Sequence, residues 1–132
     1  MTVYYVDTNV FLRFFLKDNL SLYNQAELLL RKAKEGKVKI IVSTVVIFEI
    51  GFVLKKYYHL EKQEVIKHLN TLIALDYVVV DERDIFQNAI FWYMSSSNSL
   101  EDCFLKAKAQ KIGAELFTFD KKLKNLFSSK PF

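Results

Sequence analysis

Four carboxylates, Asp7, Glu49, Asp102 and Asp120, fall where chemistry is feasible. Asp7 ends a short run of β-branched and aromatic residues, Val3 to Val6, and opens the polar triplet Asp7-Thr8-Asn9. Asp120 follows a second such run, Glu115 to Thr118. Ligands of open parallel sheets bind outside the carboxyl ends of the strands, where both residues are expected. Glu49 interrupts the apolar stretch Val45 to Leu54, and Asp102 lies three residues after Ser99. Carboxylates crowded into one crevice repel one another and force some to protonate, a conflict that a divalent cation removes. Mg²⁺ and Mn²⁺ prefer hard oxygen donors, whereas 2 His and 1 Cys give little support to a soft-ligand zinc site. Such an ion can orient a water, lower its pKa and stabilise charge on phosphoryl oxygens, which points to phosphodiester chemistry.

Each position also has a purely structural reading. Asp7 can end a strand in an Asx-type turn with Asn9, and Asp120 can cap a helix. Asp102 can be the acidic partner of Ser99 in a capping box. Glu49 is the most informative, because a carboxylate buried among apolar residues is costly unless paired, for example with Lys55 or Lys56. Thr118 can hydrogen-bond a carboxylate or serve only as a structural hydroxyl. Asn9 can orient Asp7 or meet a phosphate.

The elements that must position these residues follow from periodicity and punctuation. Val3–Val6 reads as a fully buried strand, with a helix from Val10 to Leu16. Asp18 or Asn19 caps a helix carrying Leu22, Ala26, Leu29 and Ala33, and Gly36 closes it. Lys37–Val42 is a strand, and Ser43 or Thr44 caps a helix through Tyr57. Glu61–Leu75 is helical and Tyr77–Val80 is a strand. Asp81–Asp84 then opens a helix to about Met94. The polar stretch Ser95–Asn98 is the expected flexible loop. Ser99 caps a helix ending at Gly113, in which Asp102 shares a face with Leu105, Ala109 and Ile112 and so points toward the core. Glu115–Thr118 is a fourth strand, Asp120 opens a last short helix, and 130–132 offers a weak fifth strand. Brief apolar strands separated by helices predict one α/β domain over residues 1–132, a three-layer α/β/α sandwich around a central parallel sheet.

Composition agrees. A chain of 132 residues, 52% apolar and 26% charged, with 3 Gly, 1 Pro and 1 Cys, is not collagen-like, disordered or disulfide-stapled. A net charge of +4 permits a polyanionic partner without demanding one. The start lacks a basic n-region, and no apolar run approaches the ~20 residues of a spanning helix, so a cytoplasmic location away from membranes is expected.

At this point the residues resemble a known family. Val6-Asp7-Thr8-Asn9-Val10-Phe11-Leu12-Arg13, Phe48-Glu49-Ile50, Leu100-Glu101-Asp102-Cys103 and Phe117-Thr118-Phe119-Asp120, in that order and spacing, look like a PIN-domain ribonuclease. The resemblance is greatest to the VapC-type toxins of prokaryotic toxin–antitoxin pairs. It implies Mg²⁺- or Mn²⁺-dependent endonucleolytic cleavage of RNA, a homodimer, and inhibition by a small VapB-like antitoxin. By motif, Asp7, Glu49, Asp102 and Asp120 correspond to the catalytic, metal-binding acidic cluster, with Asn9 and Thr118 as its polar support. Cys103 stands where a small residue such as alanine is common, and Glu101 competes with Asp102 for the third place.

Cations around the crevice would have to guide RNA, since the cluster itself is negative. The run Arg31, Lys32, Lys34, Lys37 and Lys39 and the group Lys106, Lys108, Lys111, Lys121, Lys122 and Lys124 are candidates, as are ordinary solvated faces. Phe11, Phe14, Phe15, Phe48, Phe52, Tyr57 and Tyr58 exceed what one small core obviously needs, and some can face a second subunit or an antitoxin helix. Two other classes stay open: a PIN-domain enzyme of RNA processing, and a non-catalytic RNA-binding or scaffold module whose carboxylates only cap. A phosphoacceptor signalling domain ranks below both, since no lysine is clearly placed at a strand end beside the acidic set.

Overall fold

In the computed structural model, which describes residues 1–128, the strands form where β-branched residues cluster and the helices where capping residues precede an apolar period. The order is β1 (Thr2–Tyr5), α1 (Thr8–Leu16), α2 (Leu20–Lys34), β2 (Val38–Val42), α3 (Thr44–Lys56), α4 (Lys62–Ile73), β3 (Val79–Val80), α5 (Arg83–Ser95), α6 (Leu100–Ile112) and α7 (Lys121–Ser128). The family of folds is the α/β one expected, with a parallel sheet and a preponderance of helix. The chain divides into two compact units, Met1–Asp81 and the residues from Glu82 onward.

The first unit holds the sheet, in the order β1-β2-β3, with every pairing parallel. Thr2 stands opposite Val38 and Tyr5 opposite Ile41, while Val42 stands opposite Val80. Two bonds extend the ladders at the carboxyl edge: the Val6 N–H donates to the Ile41 carbonyl (3.2 Å) and the Asp81 N–H to that of Val42 (3.0 Å). Crossover helices must leave from this edge, so helix N-termini gather there. Asp7 accepts from the Val10 N–H (3.4 Å) and Ser43 from the Val46 N–H (3.4 Å). Asn19 starts α2 in the same way. Gly36, at φ +77°, supplies the left-handed turn from α2 into β2. Phe11, Ile40, Ile47, Leu54 and Leu69 are wholly buried and form the centre of this unit's core.

Two expectations fail here. β1 is not a fully buried strand: it lies at the sheet edge, paired only with β2 among the described residues, and Thr2 to Tyr5 are exposed while Val6 is buried. The segment Glu115–Thr118 forms no strand, since it has no partner strand among the described residues, and Phe117 and Phe119 stand in solvent at 87% and 89% exposure. β-Propensity describes a fit to a pleated, half-buried surface and creates no strand without a neighbour. The weak strand at 130–132 lies outside the described residues.

In the second unit α5 and α6 pack through Phe86, Ala89, Trp92, Tyr93, Leu100, Cys103 and Ala107. The stretch after α5 is tied down rather than loose. Ser96 donates to the Trp92 carbonyl (2.8 Å), the Asn98 N–H donates to the Ser96 hydroxyl (3.3 Å), and Asn98 itself is buried. Gly113, at φ +71°, ends α6 as its spacing predicts.

The half-buried His68 on α4 stacks on Phe15 of α1, ring centroids 4.7 Å apart. Burial lowers its pKa, opposed by Glu64 and reinforced by Lys67. A pKa depressed by folding means that folding disfavours the proton. The contribution is therefore whole above the unfolded value of about 6.5 and is lost as pH falls below it. Thermal melts at pH 7 and pH 5 should show a smaller loss of Tm in His68→Gln than in the unaltered protein.

Candidate active site

Three of the four carboxylates occupy helix starts. Asp7 is the N-cap of α1, placed by the end of β1. Asp120 caps α7: its Oδ1 accepts from the N–H groups of Lys122 (2.8 Å) and Leu123 (3.2 Å). Asp102 lies in the first turn of α6, where its N–H donates to the Ser99 hydroxyl (3.1 Å). Unsatisfied N–H groups and the positive end of the helix dipole favour a negative charge at all three places.

Glu49 differs. It sits in mid-helix, exposed, on the side of α3 that also bears Val45 and Phe52, while Ile47, Ile50 and Leu54 face the core. The expected cost of burying it does not arise, because the apolar run supplies a core face and a second, solvent-facing apolar strip. Glu49 makes no ion pair with Lys55 or Lys56 among the described residues.

Asp102 needs a correction. The core face of α6 is Leu100, Cys103, Lys106 and Ala107, whereas Leu105 and Ile112 are 48% and 62% exposed. Asp102 is half-buried, at the border of that face rather than pointing into the core. A buried lysine misled the phase: counted as polar, Lys106 hid the true stripe, which Cys103 and its spacing to Leu100 and Ala107 do mark. Burial lowers the pKa of Lys106, and Cys103 opposes this.

The supporting residues are also placed. Thr118 acts on the backbone, its hydroxyl accepting from the Asp120 N–H (3.1 Å) in the turn before α7. Asn9, in the first turn of α1, lines a groove of about 470 Å³ between α1 and α2 with Val10, Arg13, Leu22, Gln25 and Leu29. Arg13 lies at its border, held by both oxygens of Asp18 (2.9 and 2.8 Å) and by the Tyr58 hydroxyl (2.9 Å). It is therefore a structural cation.

Part of each basic group is engaged in the same way, while Lys32, Lys34 and Lys39 are exposed and in no ion pair among the described residues. Lys108 pairs with Glu82 (2.8 Å) and Lys111 with Asp84. Lys37 and Arg31 pair with Glu35 and Glu27. Lys106 is buried, and Lys122 donates to the Ser97 carbonyl (2.8 Å). In the last third, Lys121 and Lys124 remain exposed on α7.

The donor chemistry fits a hard cation. All four candidates offer carboxylate oxygens, and none is in an ion pair among the described residues. The softer donors are used elsewhere: Cys103 is buried beside the Ser96 hydroxyl and His68 is stacked on Phe15. The first unit supplies Asp7 and Glu49, the second Asp102 and Asp120. No group of three or more His, Cys, Asp or Glu side chains is assembled as a ligand set among the described residues.

Capping and charge can be separated, because Asn caps a helix about as well as Asp. Asp7→Asn and Asp120→Asn should change unfolding free energy by only a few tenths of a kcal/mol, whereas the alanine variants should each lose about 1 kcal/mol in urea melts.

No helix among the described residues is long and apolar enough to cross a membrane. No curated protein matches the chain. The PIN domain family matches residues 4–126, a span that takes in both units and every candidate carboxylate. PIN domains form a nuclease superfamily and act on nucleic acid. On that match, the chain belongs to the PIN domain family.

Proposed function

We propose that this PIN domain is a metal-dependent endoribonuclease acting as the toxin of a VapBC-type pair. The observation that carries the reading is the family match across Asp7, Glu49, Asp102 and Asp120, with three of them at helix starts and without ion pairs. Those four would hold one or two Mg²⁺ or Mn²⁺ ions. When bound, such an ion supplies charge compensation for the phosphoryl oxygens and eases the ionisation of water.

The chain's own groups do the rest. Asp120 spends one oxygen on its cap, and that fixes the direction of the other. Thr118 holds the same turn from the backbone side. In the hydrolysis a water oxygen forms a bond to phosphorus and gives up a proton, the bond from phosphorus to the 3′-oxygen breaks, and that oxygen is protonated. The products are a 5′-phosphate and a 3′-hydroxyl. Lys121 and Lys124 offer the remaining attraction for phosphates near Asp120.

A homodimer and a small antitoxin complete the proposal. The exposed apolar strip Val45, Phe52 and Tyr57, where Phe52 and Tyr57 meet edge to face at 6.1 Å, supports a partnered surface.

Incubating the protein with single-stranded RNA and Mg²⁺ or Mn²⁺ should yield new ends bearing 5′-phosphate, and chelation should abolish the products. Asp7→Asn and Asp120→Asn should cut at most about one-hundredth as fast while melting normally. Full activity in either, with contaminating nuclease excluded, rejects the assignment. RNA affinity should fall between 50 and 200 mM salt, and Lys121→Ala should flatten that dependence.

A further inference from the structure

Isolated helices below about a dozen residues are marginal in water, and of the 8 described residues of α7 only Leu123 and Leu126 are buried. Yet α7 carries Asp120 at its start, and a carboxylate on a loose helix cannot serve a defined site.

Two lysines hold α7 at two places. In its first turn the Lys122 ammonium donates to the Ser97 carbonyl at 2.8 Å, two residues before Ser99 caps α6. One turn further on, the Lys106 ammonium donates to the Leu126 carbonyl. Lys106 lies one turn after Asp102 on α6, is 1% exposed, and has its Nζ 3.6 Å from the centre of the Trp92 ring. Cation–π attraction and the negative end of the α7 dipole both favour an ammonium there. Ser97, Ser99 and Asp102 belong to the start of α6, and Lys122 stands two residues from Asp120. The clip at Lys122 therefore joins the two helix starts that bear candidate carboxylates, while the clip at Lys106 stops α7 pivoting about that joint.

We propose that Lys106 and Lys122 are positioning residues, which pin α7 to the α6 segment at two points one turn apart and so set where Asp120 stands relative to Asp102. The assignment rests on the nuclease reading for its functional consequence and on α7 alone for its structural one. Neither lysine touches the reacting atoms.

The test uses the full chain with Lys106→Met, which fills similar space without charge, and Lys122→Ala at an exposed position. Two readouts need neither metal nor RNA: the emission of Trp92, the chain's 1 Trp, and hydrogen exchange at the Lys122 and Leu123 amides that Asp120 caps. Both variants should melt cooperatively, with these amides exchanging about tenfold faster. Trp92 emission should shift in Lys106→Met. On RNA, kcat should fall about 10- to 100-fold while KM changes less than about threefold, the signature of a displaced group rather than lost binding. Lys122→Arg, which can reach the same carbonyl, should restore kcat.

Amide exchange like that of the unaltered protein overturns the proposal. So does faster exchange with undiminished kcat, which makes the clips structural only. If Lys106→Met fails to fold, Lys122→Ala and its arginine counterpart decide alone. If the unaltered protein cuts no RNA with any divalent ion, the nuclease reading has failed, and the clips are judged on exchange at Lys122 and Leu123.

Discussion

The first N–H groups of a helix have no acceptor within the helix, and the structure depends on how that shortage is met. Asp7 and Asp120 meet it with a side-chain oxygen, and Ser99 meets it for the turn that holds Asp102. The same N–H groups and the dipole behind them attract a negative charge at each of these helix starts, with no lysine or arginine paired to it among the described residues. Such carboxylates retain their lone pairs for something other than the protein's own cations. Only Glu49, in the middle of α3, lacks this local support, and its exposure to water takes its place.

The cations divide along complementary lines. Arg13, Lys108 and Lys111 neutralise Asp18, Glu82 and Asp84, carboxylates that belong to the framework. Lys106 and Lys122 are spent on carbonyl oxygens. The cations spent in this way are a part of the 19 Lys and Arg, and Lys32, Lys34, Lys39, Lys121 and Lys124 are exposed and in no ion pair among the described residues. An attraction for RNA rests on such residues and weakens as salt rises.

Local rules were legible in the sequence wherever one residue decides one backbone event. Asn19, Ser43 and Ser99 cap where their side chains can reach an N–H, and Gly36 and Gly113 take the left-handed turns that other residues resist. The capping roles of Asp7 and Asp120 follow the same logic, as polar residues soon after β-like runs. What depends on a distant partner was not legible. Glu115–Thr118 has strand composition, but no strand among the described residues pairs with it, and the position of β1 at a sheet edge cannot be read from its own residues. The face of Asp102 was misjudged because a helical stripe is normally read from apolar residues, and at Lys106 a charged residue occupies the stripe.

That buried lysine is a poor choice on grounds of stability alone. Removing an ammonium from water is expensive, and an apolar side chain of similar volume often serves as well or better. Methionine, however, tolerates several rotamers and packs acceptably against α7 in more than one position. An ammonium held over the Trp92 ring and against the Leu126 carbonyl is more selective, because a slip of α7 weakens a charge-assisted hydrogen bond in a buried place. The energy gap that matters is between placements of α7, and it widens as burial deepens, which is the condition that a carboxylate at the start of a helix with so few buried residues requires.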